Sequence, residues 1–291
     1  MRLLWLFGSL ALALILAVIT LQSPRPTPAD APATTFSAAR AMIDVRQIAQ
    51  RPHPLGSPEH ARVQARLLQR LTELGLQTST QTGPLSPGAV RRLTREGAAA
   101  EAASRGAVNL IGVLPGRDPA LPAVALMAHY DTAANSPGAA DDSAGVAAVL
   151  EAVRAIRARG PADRTLVVLL TDAEELGLDG ARAFWGDHPL RDRIGAVINL
   201  EARGGGGRAM MFETGRGNAE TIGLFARIAP RATGGVTSNS LAVFVYELMP
   251  NGTDFTIPKD RGVQGLNLAF IGRPEQYHAH STPEVLDRGA V

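Results

Sequence analysis

The segment Thr165–Thr171 (TLVVLLT) constrains the fold more than any other part of the chain, because an unbroken apolar run lies between its two threonines. A strand that is apolar on both faces must be covered on both faces, which is typical of the central strands of α/β sheets. The run Ala123–Ala128 has the same character, and a helical pattern over Ser143–Arg159 lies between the two. We therefore predict an α/β fold with a mixed, largely parallel central sheet and helices on both faces.

The amino terminus carries a second strong pattern, since Leu3–Leu21 is a run of 19 residues without a charge. Such a run is long enough to cross a bilayer as a helix, and a cleaved signal peptide is the alternative. We predict an anchor or signal peptide at residues 1–21, an extended and solvated proline-rich spacer at 22–35, and a folded domain at 36–291. The domain would then be membrane-anchored on the periplasmic or extracellular side, or secreted.

Composition excludes several classes of function. The chain has no cysteine, so disulfides, thiolate nucleophiles and cysteine-bound zinc are ruled out, and any metal must be held by His, Asp or Glu. The net charge is +2 and only 4% of the residues are aromatic, without a basic stripe, so a nucleic-acid partner is not indicated.

Polar residues that can bind metals follow the predicted strands. Each has an ordinary structural interpretation when taken singly, such as a helix N-cap or a solvated turn. Successive strand ends of a parallel sheet line one crevice, however, so we expect these side chains to converge. They are His129, Asp141, Glu174, Glu175, Glu201 and His278.

Converging carboxylates repel one another unless cations neutralise them, which favours a metal site. Two histidines and three carboxylates suit two zinc ions, with one carboxylate shared. Of the neighbours Glu174 and Glu175, one can bind metal while the other takes a proton from the attacking water. Asp131, two residues beyond His129, lies on the correct face to orient its imidazole.

Several stretches resemble the M28 family of zinc-dependent exopeptidases, which includes bacterial aminopeptidases and membrane-anchored relatives. The resemblance implies the zinc exopeptidase type of α/β fold, two zinc ions per chain and peptide substrates. The matching stretches are AHYDT (128–132), PGAADDSAG (137–145), DAEELGLDGA (172–181), NLEARGGGG (199–207), MFETG (211–215) and QYHAHSTPE (276–284).

The resemblance also implies roles for individual residues. His129 and Glu201 would bind at one zinc position, Glu175 and His278 would complete the other, and Asp141 would bridge them, with the side taken by each terminal ligand left open. Glu174 matches the general base, Asp131 the orienting acid, and Tyr246 a residue that shapes the substrate pocket and stabilises an oxyanion. The stretch after His278 departs from the family, which makes His280 an alternative ligand.

Three functions are compatible with these observations. The first is a zinc aminopeptidase, and the second is a glutaminyl cyclase, which has a similar fold but works with a single zinc. The third is a membrane-anchored binding ectodomain without activity. The full set of five ligands disfavours the cyclase, and the presence of both Glu174 and Glu175 argues against the inactive ectodomain, so the first is favoured.

Overall fold

The computed structural model describes residues 2–96, 100–231 and 238–291. It begins with helix α1 (Arg2–Leu21), whose apolar side chains are exposed on all sides, for example Leu4 at 76% and Trp5 at 79%. Within these ranges, no helix combines the length and hydropathy that crossing a membrane requires. Residue 1 of the predicted anchor lies outside the described residues, and the anchor itself stays a prediction.

The proline-rich segment at residues 22–35 lies along the surface of the domain instead of hanging free as a spacer. Its main-chain carbonyl groups accept hydrogen bonds from arginine side chains of the domain. Arg40 binds the carbonyls of residues 29 and 31 at 2.7 and 2.9 Å, and Arg154 binds those of residues 33 and 35 at 2.6 and 2.9 Å. Near its start, Arg208 donates to the carbonyl of Gln22 at 3.2 Å. The segment is thus attached at both of its ends.

The centre of the domain is a seven-stranded sheet with strand order β1-β2-β4-β3-β5-β7-β6. Strands β4, β3, β5 and β7 are parallel to their neighbours within this group, whereas β1, β2 and β6 pair antiparallel. The predicted mixed α/β fold is confirmed, with the parallel strands in the middle. The strands are β1 (Gln77–Gly83), β2 (Ala107–Leu114), β3 (Ala123–His129), β4 (Leu166–Thr171), β5 (Ile194–Ala202), β6 (Met210–Thr214) and β7 (Gln264–Phe270).

Helices cover both faces of this sheet. Local sequence signals fix several helix starts: Ser57 accepts a hydrogen bond from the backbone N–H of His60, and Asp142 accepts one from Gly145. The helices after α1 are α2 (Ala38–Ile48), α3 (Pro58–Glu73), α4 (Pro87–Arg95), α5 (Ala100–Arg105), α6 (Ser143–Ala158), α7 (Glu174–Gly177), α8 (Asp179–Asp187), α9 (Ala219–Ile228), α10 (Ser240–Glu247) and α11 (Thr256–Asp260).

Strand β4 shows why the sheet needs two layers of helices. Its even-numbered residues, such as Val168, pack with Leu67 of α3 and Val149 of α6 on one face. Its odd-numbered residues, such as Leu169, pack with Trp185 of α8 on the other face. Because side chains alternate along a strand, a continuous apolar run supplies both cores. This double packing fixes the ends of the parallel strands in place.

The glycine run Gly204–Gly207 after β5 is a place of close backbone approach. A Cβ atom on Gly204 would collide with the carbonyl oxygen of Gly272, and one on Gly206 would collide with the side chain of Asp287. Glycine is required here because two backbone segments pack directly against each other. The run therefore packs against the chain just beyond the end of β7.

Candidate metal centre

The five predicted metal ligands come together at the carboxyl ends of the parallel strands. His129 is the last residue of β3, Glu175 lies in α7 directly after β4, and Glu201 lies near the end of β5. His278 follows β7, and Asp141 lies in the loop that leads into α6. The parallel arrangement of the strands, predicted from the sequence, places these donors at one rim of the sheet.

The first donor set consists of His129, Asp141 and Glu201. The Nε2 atom of His129 lies 3.0 Å from Oδ1 of Asp141 and 3.8 Å from Oε2 of Glu201. All three residues are buried. One nitrogen and two carboxylate oxygens at this spacing could hold a divalent cation such as zinc.

The second donor set consists of Asp141, Glu175 and His278. The Nε2 atom of His278 lies 3.7 Å from Oδ2 of Asp141 and 3.6 Å from Oε1 of Glu175. Asp141 belongs to both sets, with Oδ1 facing the first and Oδ2 facing the second. His280, the alternative ligand, belongs to neither donor set among the described residues, and its side chain is exposed.

The electrostatics of both sets fit a cation. Burial, together with the charges of Asp142 and Asp141, raises the pKa of Glu201 well above its usual value, with the charge of His129 opposing this. Burial and the charge of Asp141 raise the pKa of Glu175 to about 7. The Nε2 atom of His278 is buried without a hydrogen-bond partner among the described residues. A bound cation would neutralise the crowded carboxylates and give this nitrogen a partner.

Glu174 lies beside the two donor sets without belonging to either of them. It lines the same cavity as Asp141, Glu175 and Glu201. Burial raises the pKa of its carboxyl group well above the usual value, and the charge of Glu201 adds to this effect. A carboxylate with a raised pKa next to a metal site is suited to accept and return a proton.

Asp131 has a wider structural role than the orientation of His129. Its carboxylate accepts hydrogen bonds from the backbone N–H groups of Glu174 at 3.0 Å and Glu175 at 3.3 Å. The Nδ1 atom of His129 lies 3.0 Å from the main-chain oxygen of Asp131 and 3.5 Å from its Oδ1. Burial alone would raise the pKa of Asp131, but the hydrogen bond and charge of His129 bring it below the usual value. Asp131 is therefore an ionised anchor for the start of α7.

Backbone strain is concentrated at this rim. His278 has a φ angle of 53°, and Ala173, directly before Glu174, has a φ angle of 58°. Left-handed conformations of residues other than glycine are uncommon and persist where the surrounding structure imposes them, often at functional sites. The strained positions belong to the two turns that carry Glu174, Glu175 and His278.

Several residues outside the predicted ligand set also lie at the site. The ring of Tyr277 stacks on that of His278 with centroids 3.8 Å apart, and the guanidinium of Arg203 lies 5.7 Å above the Tyr277 ring. Asp254 is buried and accepts a hydrogen bond from Thr171 at the end of β4, and burial raises its pKa to about 7. Asp254 lies in the segment Pro250–Phe255, which by resemblance to the family is expected to shape the substrate pocket. Position in the sequence could have indicated Tyr277, which precedes a predicted ligand, whereas Arg203 converges only through the fold.

The donor sets open into a cavity of about 730 Å³. Tyr246 forms part of its wall and packs edge-on against Phe212, with ring centroids 4.6 Å apart. The phenol of Tyr246 is buried, which raises its pKa above the usual value. The floor is acidic, arginines lie at the rim and one wall is apolar. The apolar wall contains Met210, Phe212, Val245, Tyr246, Met249 and Ile271, and the arginines are Arg92, Arg182 and Arg203.

Comparisons with known proteins agree on one family. The sequence pattern of peptidase family M28 matches residues 109–287. Endoplasmic reticulum metallopeptidase 1 of Mus musculus is 37% identical over 172 residues, which is 58% of this chain and 19% of the relative. The vacuolar membrane protease of Candida dubliniensis is 32% identical over 238 residues, which is 81% of this chain and 24% of the relative. The chain thus spans about a fifth to a quarter of these relatives' length.

Solved structures share the fold at low sequence identity. A zinc aminopeptidase from Bacillus subtilis superposes with a TM-score of 0.66 at 16% identity, covering 88% of this chain and 92% of the other. A glutaminyl cyclase from Tannerella forsythia superposes with a TM-score of 0.67 at 20% identity, covering 87% of this chain and 94% of the other. At these identities the likeness establishes the fold and leaves the reaction to be argued from the site.

Proposed function

The chain belongs to peptidase family M28, and from that premise we propose that it is a zinc-dependent aminopeptidase, which removes the amino-terminal residue of peptides. One observation carries the proposal. Two sets of nitrogen and oxygen donors share Asp141, and Glu174 stands beside them on the floor of a cavity. This arrangement would bring metal binding, proton transfer and substrate binding together in one place.

We propose two zinc ions per chain, one on each donor set. His129 and Glu201 would hold the first, Glu175 and His278 the second, and Asp141 would hold both. Zinc, when bound, polarises a carbonyl group and lowers the pKa of a water molecule toward neutrality. The protein's own contribution is to hold the donors rigidly and to supply the groups that move protons.

Glu174 is the proposed general base. Its carboxylate would accept a proton from the attacking water and deliver it to the nitrogen of the leaving amine, so that the carboxylate is regenerated after each turnover. Asp131 holds the backbone N–H of Glu174 at 3.0 Å and thereby fixes where this carboxylate lies. Proton transfer depends on such positioning, because donor and acceptor must come within hydrogen-bond reach.

The cavity supports a substrate with a free amino group and an apolar side chain. The acidic floor complements an amine, and the wall formed by Phe212, Val245 and Met249 would bury an apolar side chain. The hydroxyl of Tyr246, which is buried without a hydrogen-bond partner among the described residues, is the proposed donor to the oxyanion. Tyr277, also in the cavity lining, is a second candidate for that role.

The alternative function is that of a glutaminyl cyclase, and the Tannerella forsythia cyclase has the same fold. A cyclase works with a single zinc, whereas this chain has a second donor set built around Glu175 and His278. That second set favours the aminopeptidase. We further propose that residues 1–21 hold the protein at a membrane, which the name of the vacuolar membrane protease supports, and that the domain lies on the periplasmic or extracellular side.

The proposal is tested by measuring zinc content and hydrolysis of aminoacyl amides on the purified full-length chain. We expect two zinc ions per chain, and we expect Glu174→Gln to lower kcat by about 10²–10⁴-fold while zinc content stays the same. Glu175→Gln should instead lose zinc together with activity, since Glu175 lies in a donor set.

The matched control is Glu73→Gln, an exposed glutamate on α3, which should behave like the parent. Full activity in Glu174→Gln would show that Glu174 is not the general base. One zinc per chain, combined with cyclisation of an amino-terminal glutamine, would favour the cyclase. A zinc-free, inactive parent would favour the binding ectodomain.

A further inference from the structure

A row of polar side chains crosses the sheet and ends at the candidate metal centre. Three of its members occupy directly opposed positions on neighbouring strands: Asn199 on β5, Asn267 on β7 and Glu213 on β6. Asn199 and Asn267 are 0% exposed and Glu213 is 4% exposed. The row begins at Lys259 of α11 and ends at Glu201, which follows Asn199 by two residues on the same face of β5. Polar groups are this deeply buried at low cost only when they are hydrogen-bonded.

Hydrogen bonds connect the members of the row without a gap. The ammonium group of Lys259 donates to Oε1 of Glu213, and Nδ2 of Asn267 donates to Oε2 of the same carboxylate at 2.9 Å. The Nδ2 atom of Asn199 donates to Oδ1 of Asn267 at 3.0 Å and to Oε1 of Glu201 at 3.1 Å. The row is therefore one continuous chain of hydrogen bonds from a partly exposed lysine to a carboxylate of the first donor set.

The lysine at its start fixes the direction of this chain. An ammonium group can only donate, and the ionised carboxylate that it binds can only accept, so the NH₂ group of Asn267 must face Glu213. The second hydrogen of that NH₂ group binds Oγ1 of Thr253 at 2.8 Å, which leaves Oδ1 of Asn267 as an acceptor. Asn199 must then turn its own NH₂ group toward Asn267, and the remaining hydrogen reaches Glu201.

The amide oxygen of Asn199 shows that this direction is maintained at a cost. The oxygen is buried and has no hydrogen-bond partner among the described residues. Unpaired buried acceptors are unfavourable and uncommon. If the amide were flipped, its oxygen would face two further acceptors, Oδ1 of Asn267 and Oε1 of Glu201. The surroundings of Asn199 therefore favour the two donated hydrogen bonds over pairing of the oxygen.

We propose that Asn199 is a positioning residue for the first donor set, an inference that rests on the proposed zinc centre. Asn199 holds Oε1 of Glu201, while Oε2 faces Nε2 of His129 at 3.8 Å and is free to bind the ion. Hydrogen bonds to a ligating carboxylate orient it and tune its affinity for the metal. Because the amide is neutral, it orients Glu201 without competing with a cation for its charge. The positive charge of Lys259 stays at the far end of the row.

Zinc binding by the full-length chain tests the proposal. The protein would be freed of metal with a chelator and titrated with zinc against a chromophoric competitor. Asn199→Leu removes the donor at similar volume, and we expect it to lower one of the two zinc affinities by about 10–100-fold and to leave the other unchanged.

The matched control is Asn109→Leu on β2. Asn109 is also 0% exposed, and its amide donates to the carbonyl of Gly180 at 2.8 Å, but it belongs to neither donor set. We expect this variant to lower the Tm of the zinc-free chain and to keep both zinc affinities.

A second pair of variants tests the row at its far end. The side chain of Lys259 is 26% exposed, so its replacement should leave the domain folded. Lys259→Met removes the group that sets the direction of the hydrogen bonds, and we expect it to lower the same zinc affinity by less than Asn199→Leu does. Lys259→Arg, whose guanidinium can again only donate, should restore the parent's affinity.

Zinc affinities within a factor of two of the parent's in Asn199→Leu would overturn the proposal, as would an equal loss in Asn109→Leu. If Asn199→Leu did not fold, unchanged zinc binding in Lys259→Met would overturn it. A parent that binds two zinc ions without hydrolysing aminoacyl amides would refute the proposed reaction instead. The contrast between Asn199→Leu and Asn109→Leu in zinc binding would still support this inference, because it is measured without substrate.

Discussion

Asp131 offers the sharpest test of how the site is built, because one carboxylate positions both Glu174 and Glu175. It is 1% exposed and accepts two backbone N–H groups, at 3.0 and 3.3 Å. Hydrogen bonds to a charged group are worth about 1.5–3 kcal/mol each, so Asp131→Ala removes roughly 3–6 kcal/mol of positioning free energy. At about 1.4 kcal/mol per factor of ten, the expected fall in kcat/KM is roughly 10²–10⁴-fold.

Asp131→Asn should lower kcat/KM less than Asp131→Ala does. Its amide oxygen still accepts one hydrogen bond, whereas its amide NH₂ faces the second N–H donor. About half of the free energy is then lost, which corresponds to roughly a 10–100-fold fall in kcat/KM. The assay is steady-state hydrolysis of an aminoacyl amide at saturating zinc, combined with a separate zinc titration. Since Glu175 belongs to a donor set, zinc affinity should also fall by about 10–100-fold.

The matched control for Asp131 is Glu151→Gln on α6. Glu151 is also buried and accepts a backbone N–H, from Ser37 at 2.9 Å, but it does not line the cavity. The Glu151→Gln substitution should lower thermal stability and leave kcat unchanged. If Asp131→Asn kept the parent's kcat and zinc affinity within about a factor of two, the anchoring role derived from its two hydrogen bonds would be wrong.

Two further predictions concern stability. Burial lowers the pKa of His53 from 6.5 to about 4, so the unfolded chain binds this proton first, and the contribution of His53 to the stability of the zinc-free domain should fall by about 3 kcal/mol as pH falls from 6.5 to 4. In urea unfolding across that range, the free energy of unfolding should fall by less as pH is lowered in His53→Gln than in the parent. An unchanged pH dependence would contradict the assignment. Chelation of zinc should lower Tm, because binding at a free concentration a thousand times Kd stabilises by about 4 kcal/mol, or roughly 8–16 °C in a domain of this size. Asp141→Asn should show a much smaller shift, and an equal shift would place the stabilising metal elsewhere.

The parallel core could be predicted from the sequence because its strands are apolar on both faces. Thr165–Thr171 predicted a central strand, and β4 (Leu166–Thr171) is buried along its whole length. The convergence of His129, Glu175 and Glu201 followed from the same argument, since strand ends in such a sheet share a rim. The proposed ligand positions could therefore be anticipated before any coordinates.

Other features depended on contacts that leave no local pattern. Helix α10 is apolar on two sides, so its sequence lacks the polar face that would have indicated an amphipathic helix. The wider role of Asp131 depends on where the backbone N–H groups of Glu174 and Glu175 point, which the sequence does not encode locally. The docking of residues 22–35 likewise depends on Arg154 of α6, which is 121 residues beyond the carbonyl of Ala33 that it binds.

That docking determines how far the domain can travel from α1. A free chain of this length would let the domain rotate and sample a broad shell of positions around its point of attachment. Residues 22–35 are instead bonded by Arg208 at their start and by Arg154 at their end. Adding residues between 24 and 28 would therefore enlarge a surface loop without increasing the distance between α1 and the domain. The dimensions of the folded body, and not contour length, therefore set the distance between α1 and the cavity.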